Sequence, residues 1–297
     1  MALIGICILA AALYWVGSGA VLDAIKRCSP AAIAAAAVAI VTATMLGAWN
    51  VYRIAGLRST MTFLQFLPVF WRSWAVGITL PGQVADMLTT LWQLKGRSGD
   101  LNFVAGRLLA DKAITLGLIL GLASLVPAII GKATLLACVL MLAALGIGAA
   151  AALTLVVWYS RRPGFLADRR WGARVLPVLA AANVPARVAA SNTAVTVAKL
   201  MATGFAYWVV LGSLDANTPG FVATTAISQS AGLIAYLPIS FNGLGTVEVS
   251  AVAMFRALGL ESAAVLSAYL ILRATALAAA WLPVAVLARA KSTPIDQ

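Results

Sequence analysis

Apolar residues in this chain run in long blocks, and short stretches between the blocks hold most of the charge. Blocks at about 2–22, 31–52, 103–127, 133–159, 186–213 and 262–288 each match the ~20 apolar residues that a helix needs to cross a bilayer core. Two further apolar regions, about 61–95 and 219–258, are interrupted near the middle. Each breaks at a Leu-Pro pair, Leu80-Pro81-Gly82 in the first and Leu237-Pro238 in the second.

Such breaks are expensive in lipid, where every freed backbone group costs several kcal/mol. Irregular backbone at membrane depth survives where protein buries it or where it lines a watery cavity. The second break is the richer one: Leu237-Pro-Ile-Ser-Phe-Asn-Gly-Leu-Gly-Thr-Val-Glu248 combines Pro238, Asn242, Gly243, Gly245 and Glu248. In both regions an apolar segment leads into Leu-Pro, then glycine, then an acidic residue, Asp86 or Glu248. A full span with an internal basic residue follows each, and aligning Asp100 with Glu261 sets Lys112 opposite Arg273. The pattern implies two repeat halves, 31–127 and 186–288, inside one transmembrane domain covering 1–297.

Composition places the chain in a class and charge orients it. Of its 297 residues, 63% are hydrophobic and 10% charged, against roughly 25% charged in average soluble domains. The expected fold is therefore an all-α polytopic membrane protein. The net charge of +12 suits basic loops facing anionic cytoplasmic lipid better than it suits nucleic acid. Arg161, Arg162, Arg169, Arg170 and Arg174 mark the 160–175 loop as cytoplasmic, and Arg289 and Lys291 do the same for the C-terminal tail. Arg53, Arg58, Lys95 and Arg97 also fall inside if region 61–95 enters and leaves on one face; region 219–258 then does so from the outer face. This assignment gives six full spans, two re-entrant hairpins, cytoplasmic termini and an inverted repeat; the alternative, a broken region that crosses fully, fits the loop charges less well and stays open at this point. The first block lacks a basic segment before it and a small-residue cleavage site, so it reads as a retained span.

There is no histidine, and Cys7, Cys28 and Cys138 fit no metal-ligand spacing. No metal or cofactor is expected. Walker A, GxSxG and HExxH patterns are absent, which points away from an enzyme. Attention falls instead on intramembrane charges, which face a partner or a cavity. Arg273 is the only charge between Glu261 and Arg289, and Glu248 is a natural partner for it. That pair would either lock the fold or open when an anionic headgroup competes for the arginine. Arg107 and Asp111 are four apart and able to pair on one helix face, while Lys112 points elsewhere, toward Asp86 or a cavity. Arg72, between Trp71 and Trp74, reads as an interfacial anchor or a phosphate ligand. Lys199, after Ser191, Asn192, Thr193 and Thr196, reads as part of an interfacial turn or of a polar cavity wall.

The Pro238–Gly243-x-Gly245–Glu248 segment, followed by Leu258-Gly-Leu-Glu261 and by Arg273 in the last span, resembles the lysylphosphatidylglycerol synthase transmembrane family. Leu80-Pro81-Gly82 with Asp86, and Gly106-Arg107-Leu108-Leu109-Ala110-Asp111-Lys112, resemble that family's first broken region and the span after it. Asn242 stands where the family pattern leads one to expect a glycine. The resemblance implies a bacterial inner-membrane protein that moves an anionic or polyprenyl-linked lipid between leaflets, as a stand-alone member without the synthase domain. It implies a membrane lipid as partner, with a homodimer or a lipid-synthesis enzyme as further candidates. Two other functions stay open at this point: a membrane-embedded lipid glycosyltransferase or other transferase, and a non-transporting partner of a lipid-biosynthesis enzyme.

Overall fold

The computed structural model describes residues 2–80, 85–97, 99–131, 172–236 and 240–292. Every regular element among them is helical. The first break at Pro81 and Gly82, Pro238 in the second break, and the expected span 133–159 lie outside the described residues.

Among the described residues four helices are long and apolar enough to cross a membrane: Pro30–Ile54, Leu101–Ile130, Ala186–Leu214 and Ser262–Val286. They correspond to four of the expected blocks. Their ends carry legible signals. Helix α3 (Pro30–Ile54) has Pro30 at its first turn, where the missing N–H is harmless. Asp100 caps α6 (Leu101–Ala123) by accepting from the Asn102 N–H at 2.9 Å. Asp215 ties the end of α9 (Ala186–Leu214) to the start of α12 (Ser262–Ser292), one carboxylate oxygen accepting from Asn217 N–H and the other from Glu261 N–H at 3.0 Å.

The first apolar block departs from the expected straight span. It folds as α1 (Ala2–Val16) and α2 (Ser18–Arg27), bent by 86°. Gly17 makes the corner with φ 95°, a conformation open chiefly to glycine. Helix α2 then turns Val21 and Ala24 inward against α12, and Ser267 Oγ donates to the Val21 carbonyl at 3.0 Å. Its outer face carries the exposed Asp23 and Lys26. A bend satisfies both faces, whereas a straight helix would carry Asp23, Lys26 and Arg27 onward from an apolar rod.

The two interrupted regions form pairs of short helices. The first pair is α4 (Phe63–Gly77) and α5 (Ala85–Leu94), which pack on each other. Helix α4 starts with a reciprocal capping box between Thr62 and Gln65. The second pair is α10 (Phe221–Gly232) and α11 (Thr246–Arg256), also in contact, with a 3-10 turn at Leu233–Tyr236. These helices of 10 to 15 residues extend about 15–22 Å, short of the ~30 Å hydrocarbon core.

Packing joins the two pairs through the long helices. The broadest interface is α3 against α9; α12 touches α2, α3, α4, α9 and α11. One apolar core lies around α9–α12 and the second short pair, and another holds Phe66, Leu94, Val104 and Leu108 beneath the first. The remaining described elements are a 3-10 turn at Leu57–Ser59, α7 (Val126–Ile130) and α8 (Gly172–Ala181). Helix α8 was not expected from the charge pattern; it packs on α6 at Gly106, where a Cβ would strike the Val178 carbonyl.

Candidate functional site

At the second break the backbone has positive φ at Asn242 (41°), Gly243 (72°) and Gly245 (80°). Asn tolerates the left-handed region and glycine favours it, so Asn242 performs a role usually given to glycine. Gly245 then starts α11, and the Glu248 Oε2 accepts its N–H at 2.7 Å. Glycine offers no reciprocal side chain, so this is half of a capping box. The other oxygen, Oε1, receives Arg273 Nε and Nη2, each at 2.7 Å. Arg273 also reaches the Asn242 carbonyl through longer contacts of 3.4 and 3.5 Å. Both carboxylate oxygens are thus engaged, and the Glu248 side chain is 1% exposed against 21% for Arg273.

The first break is built alike. Asp86 lies in the opening turn of α5, its Oδ1 accepting from Met87 N–H and its Oδ2 from Lys112 Nζ at 2.6 Å. Acid and cation are 26 residues apart here and 25 in the other pair. Each cation lies eleven residues beyond the first residue of its helix, about 17 Å along the axis. This pair is more open, 29% and 30% exposed. Gly77, at the end of α4, permits the close approach: a Cβ there would come 2.7 Å from that of Asp86.

Both ion pairs border one cavity of about 580 Å³. Phe70, Trp74, Tyr207 and Tyr269 give it an aromatic wall, and Asn242, Glu248, Arg273, Asp86, Lys112 and Lys199 give it polar groups. The volume lies in the range of small-molecule pockets, ~300–1,000 Å³. Gly243 does not line it; a Cβ there would strike Val247 and press on Ala235, so the turn needs glycine.

Asp111 belongs to a different cluster. It does not pair with Arg107 as the four-residue spacing suggests; its Oδ1 accepts from Asn192 Nδ2 at 2.8 Å and Asn50 Nδ2 at 3.2 Å. Asn50 also donates to Thr196 Oγ1 at 3.0 Å. All four residues are buried, and they link α3, α6 and α9. A recess of about 60 Å³ beside them is lined by Asp86, Asp111, Lys112 and Lys199. A further pocket of about 200 Å³, with Arg53 and Arg58, lies on the far side of Asn50 and Asn192. Arg107 instead stacks on Phe103, its guanidinium carbon 4.9 Å from the ring centroid. Neither Arg107 nor Arg72 lines the cavity.

The structure therefore gathers Asp86, Lys112, Asn242, Glu248 and Arg273 at one cavity, sets Asp111 beside it, and leaves Arg72 and Arg107 away from it. Lys199 and Asn50 join the polar set. Lys199 stands in the chain as a charge near the middle of an apolar block, whereas Asn50 is a lone amide in an alanine-rich helix.

Searches among curated proteins and among solved structures return no match. The family model described as lysylphosphatidylglycerol synthase TM region matches residues 2–286. This chain, a polytopic helical membrane protein with paired charges at its two helix breaks, belongs to that family.

Proposed function

We propose that this protein moves a lipid with an anionic or polyprenyl-linked headgroup between the leaflets of a bacterial inner membrane. The observation that carries the reading is the shared cavity: two equivalent acid–cation pairs, one from each broken region, face the same space. The headgroup occupies that space while the acyl chains remain in the bilayer. An anionic headgroup competes with Glu248 for Arg273, and bidentate guanidinium suits a phosphate oxygen pair. Helices α4–α5 enter from the cytoplasmic face and α10–α11 from the outer face, so the halves form an inverted repeat able to open the cavity alternately. The charges of the loops support this orientation.

The test is transbilayer movement in proteoliposomes, read as the fraction of headgroup-labelled phosphatidylglycerol accessible to a membrane-impermeant quencher. Arg273→Ala is expected to abolish protein-dependent movement. Because that change strands Glu248, a Glu248→Gln/Arg273→Gln double variant, checked by gel filtration, separates loss of transport from loss of fold. Movement at the wild-type rate in both variants would overturn the reading. A transferase would instead yield a covalent product from donor and lipid, and an anchoring partner would lose assembly with a synthase rather than lipid movement.

A further inference from the structure

We infer that Lys199 is the phosphate-binding residue of the cavity, its ammonium donating to a phosphate-ester anion held between α3 and α9. The inference rests on the reading of the cavity as a headgroup site and adds the group that is recognised and the residue that recognises it.

Three cations line the cavity, and two are already answered: Lys112 by Asp86 at 2.6 Å, and Arg273 by Glu248 at 2.7 Å. Lys199 has no carboxylate within ion-pair distance and no side-chain hydrogen bond among the described residues. Asp111 faces the adjoining recess, but its Oδ1 is held by Asn50 and Asn192. Among the described residues lining the main cavity, two acids and three bases leave one positive charge in excess, Asp111 lining only the recess. That excess fits a singly charged phosphodiester, and a strongly hydrated ammonium suits phosphate as a point charge.

Position supports the assignment. Lys199 lies thirteen residues into α9, a helix of 29 residues, so its Cα is about 20 Å from one end and about 22 Å from the other. Its head cannot snorkel easily to either interface from there. It borders both the main cavity and the recess. Gly47 of α3 lies under its stem: a Cβ there would be 3.6 Å from Lys199 Cδ and 3.5 Å from Phe70 Cζ. Both distances are ordinary van der Waals contacts, so α3 passes directly beneath the lysine stem and the edge of the aromatic wall.

A half-buried cation at mid-membrane without a fixed partner is retained at a cost unless something occupies it. A phosphate ester is common to anionic phospholipids and to polyprenyl-linked lipids, so the inference does not depend on which of them is carried.

The experiment measures binding rather than transport. Purified full-length protein in phosphatidylcholine nanodiscs is titrated with short-chain phosphatidylglycerol, and separately with inorganic phosphate, following Trp74 and the other tryptophans by fluorescence. Phosphatidylglycerol binding is expected to weaken about tenfold or more in Lys199→Met and to be largely restored in Lys199→Arg. Replacing Lys199 strands no partner charge, so the fold is expected to stay intact, which thermal unfolding checks. Saturable competition by inorganic phosphate at matching concentrations would assign the site to free phosphate; failure of inorganic phosphate to compete assigns it to lipid. Equal phosphatidylglycerol affinity in wild type and Lys199→Met, with both folded, overturns the inference. If the binding loss is seen but wild-type protein moves no lipid in proteoliposomes, the transport reading fails and the phosphate site stands.

Discussion

Glu248 and Asp86 occupy matching places yet sit in different surroundings. Glu248 has both oxygens engaged and is 1% exposed, whereas Asp86 is 30% exposed toward the cavity. Removing the partner of a buried charge costs about 3–5 kcal/mol, because the survivor is left in a medium that cannot solvate it. A charge that reaches water in a cavity loses far less. Arg273→Met should therefore lower the thermal unfolding midpoint in detergent markedly, and Lys112→Met only slightly. Adding Glu248→Gln to Arg273→Met should recover part of the loss. Equal drops for the two single variants would mean that burial does not distinguish the pairs. Both pairs were legible in the sequence: Arg273 through its isolation, and Lys112 through alignment of the two breaks. Asp111 was not, because i,i+4 spacing reports only neighbours on its own helix. Its real partners, Asn50 and Asn192, arrive from α3 and α9, and Arg107 takes its contact four residues back, on Phe103.

The breaks owe their shape to glycine, and two glycines with similar φ show how packing adds to conformation. Gly245 has φ 80° and ψ −46°, and a Cβ on it would stand 2.6 Å from the Gly5 carbonyl oxygen and 2.8 Å from Leu9 N of α1. Gly259 has φ 90° and no atom within 4 Å of such a Cβ. Alanine at either position meets the steric penalty of positive φ, about 1–2 kcal/mol. At Gly245 it must also push apart two backbones that no rotamer change can relieve. Gly245→Ala should lower the unfolding midpoint well beyond Gly259→Ala, and matched shifts would contradict close docking of α1 on α11. Hydropathy made four long helices and the two broken regions readable, since each is an uninterrupted or visibly interrupted apolar block. It could not show the corner at Gly17: the apolar run continues past it to Leu22, and the bend is decided by α2 docking Val21 and Ala24 onto α12. Helix α8 was hidden for a related reason, its start falling among the arginines that marked a loop.

At the scale of the molecule, α3 and α9 form the seam along which the polar groups are strung, from Arg53 and Arg58 through Asn50 and Asn192 to Lys199 and the cavity. Each short helix pair closes on this seam together with the long helix after it, α6 or α12. If the pairs enter from opposite faces, the residues at their outer ends must lie on opposite sides of the membrane. Ser59, just before α4, and Asn217, just before α10, are both exposed, and neither side chain holds a contact between elements: the Ser59 hydroxyl donates only to the nearby Gly56 carbonyl. With Cys7, Cys28 and Cys138 replaced by serine, Asn217→Cys should react with an impermeant maleimide in intact cells. Ser59→Cys should react only after permeabilisation, as the cluster of Arg53, Arg58, Lys95 and Arg97 around it requires on the inner face. Labelling of both from one side would remove the inverted arrangement, and with it the symmetry argument for alternate opening. The two ion pairs would then be a stabilising clamp around a cavity open to one face, since only oppositely oriented halves exchange their environments when the molecule rocks.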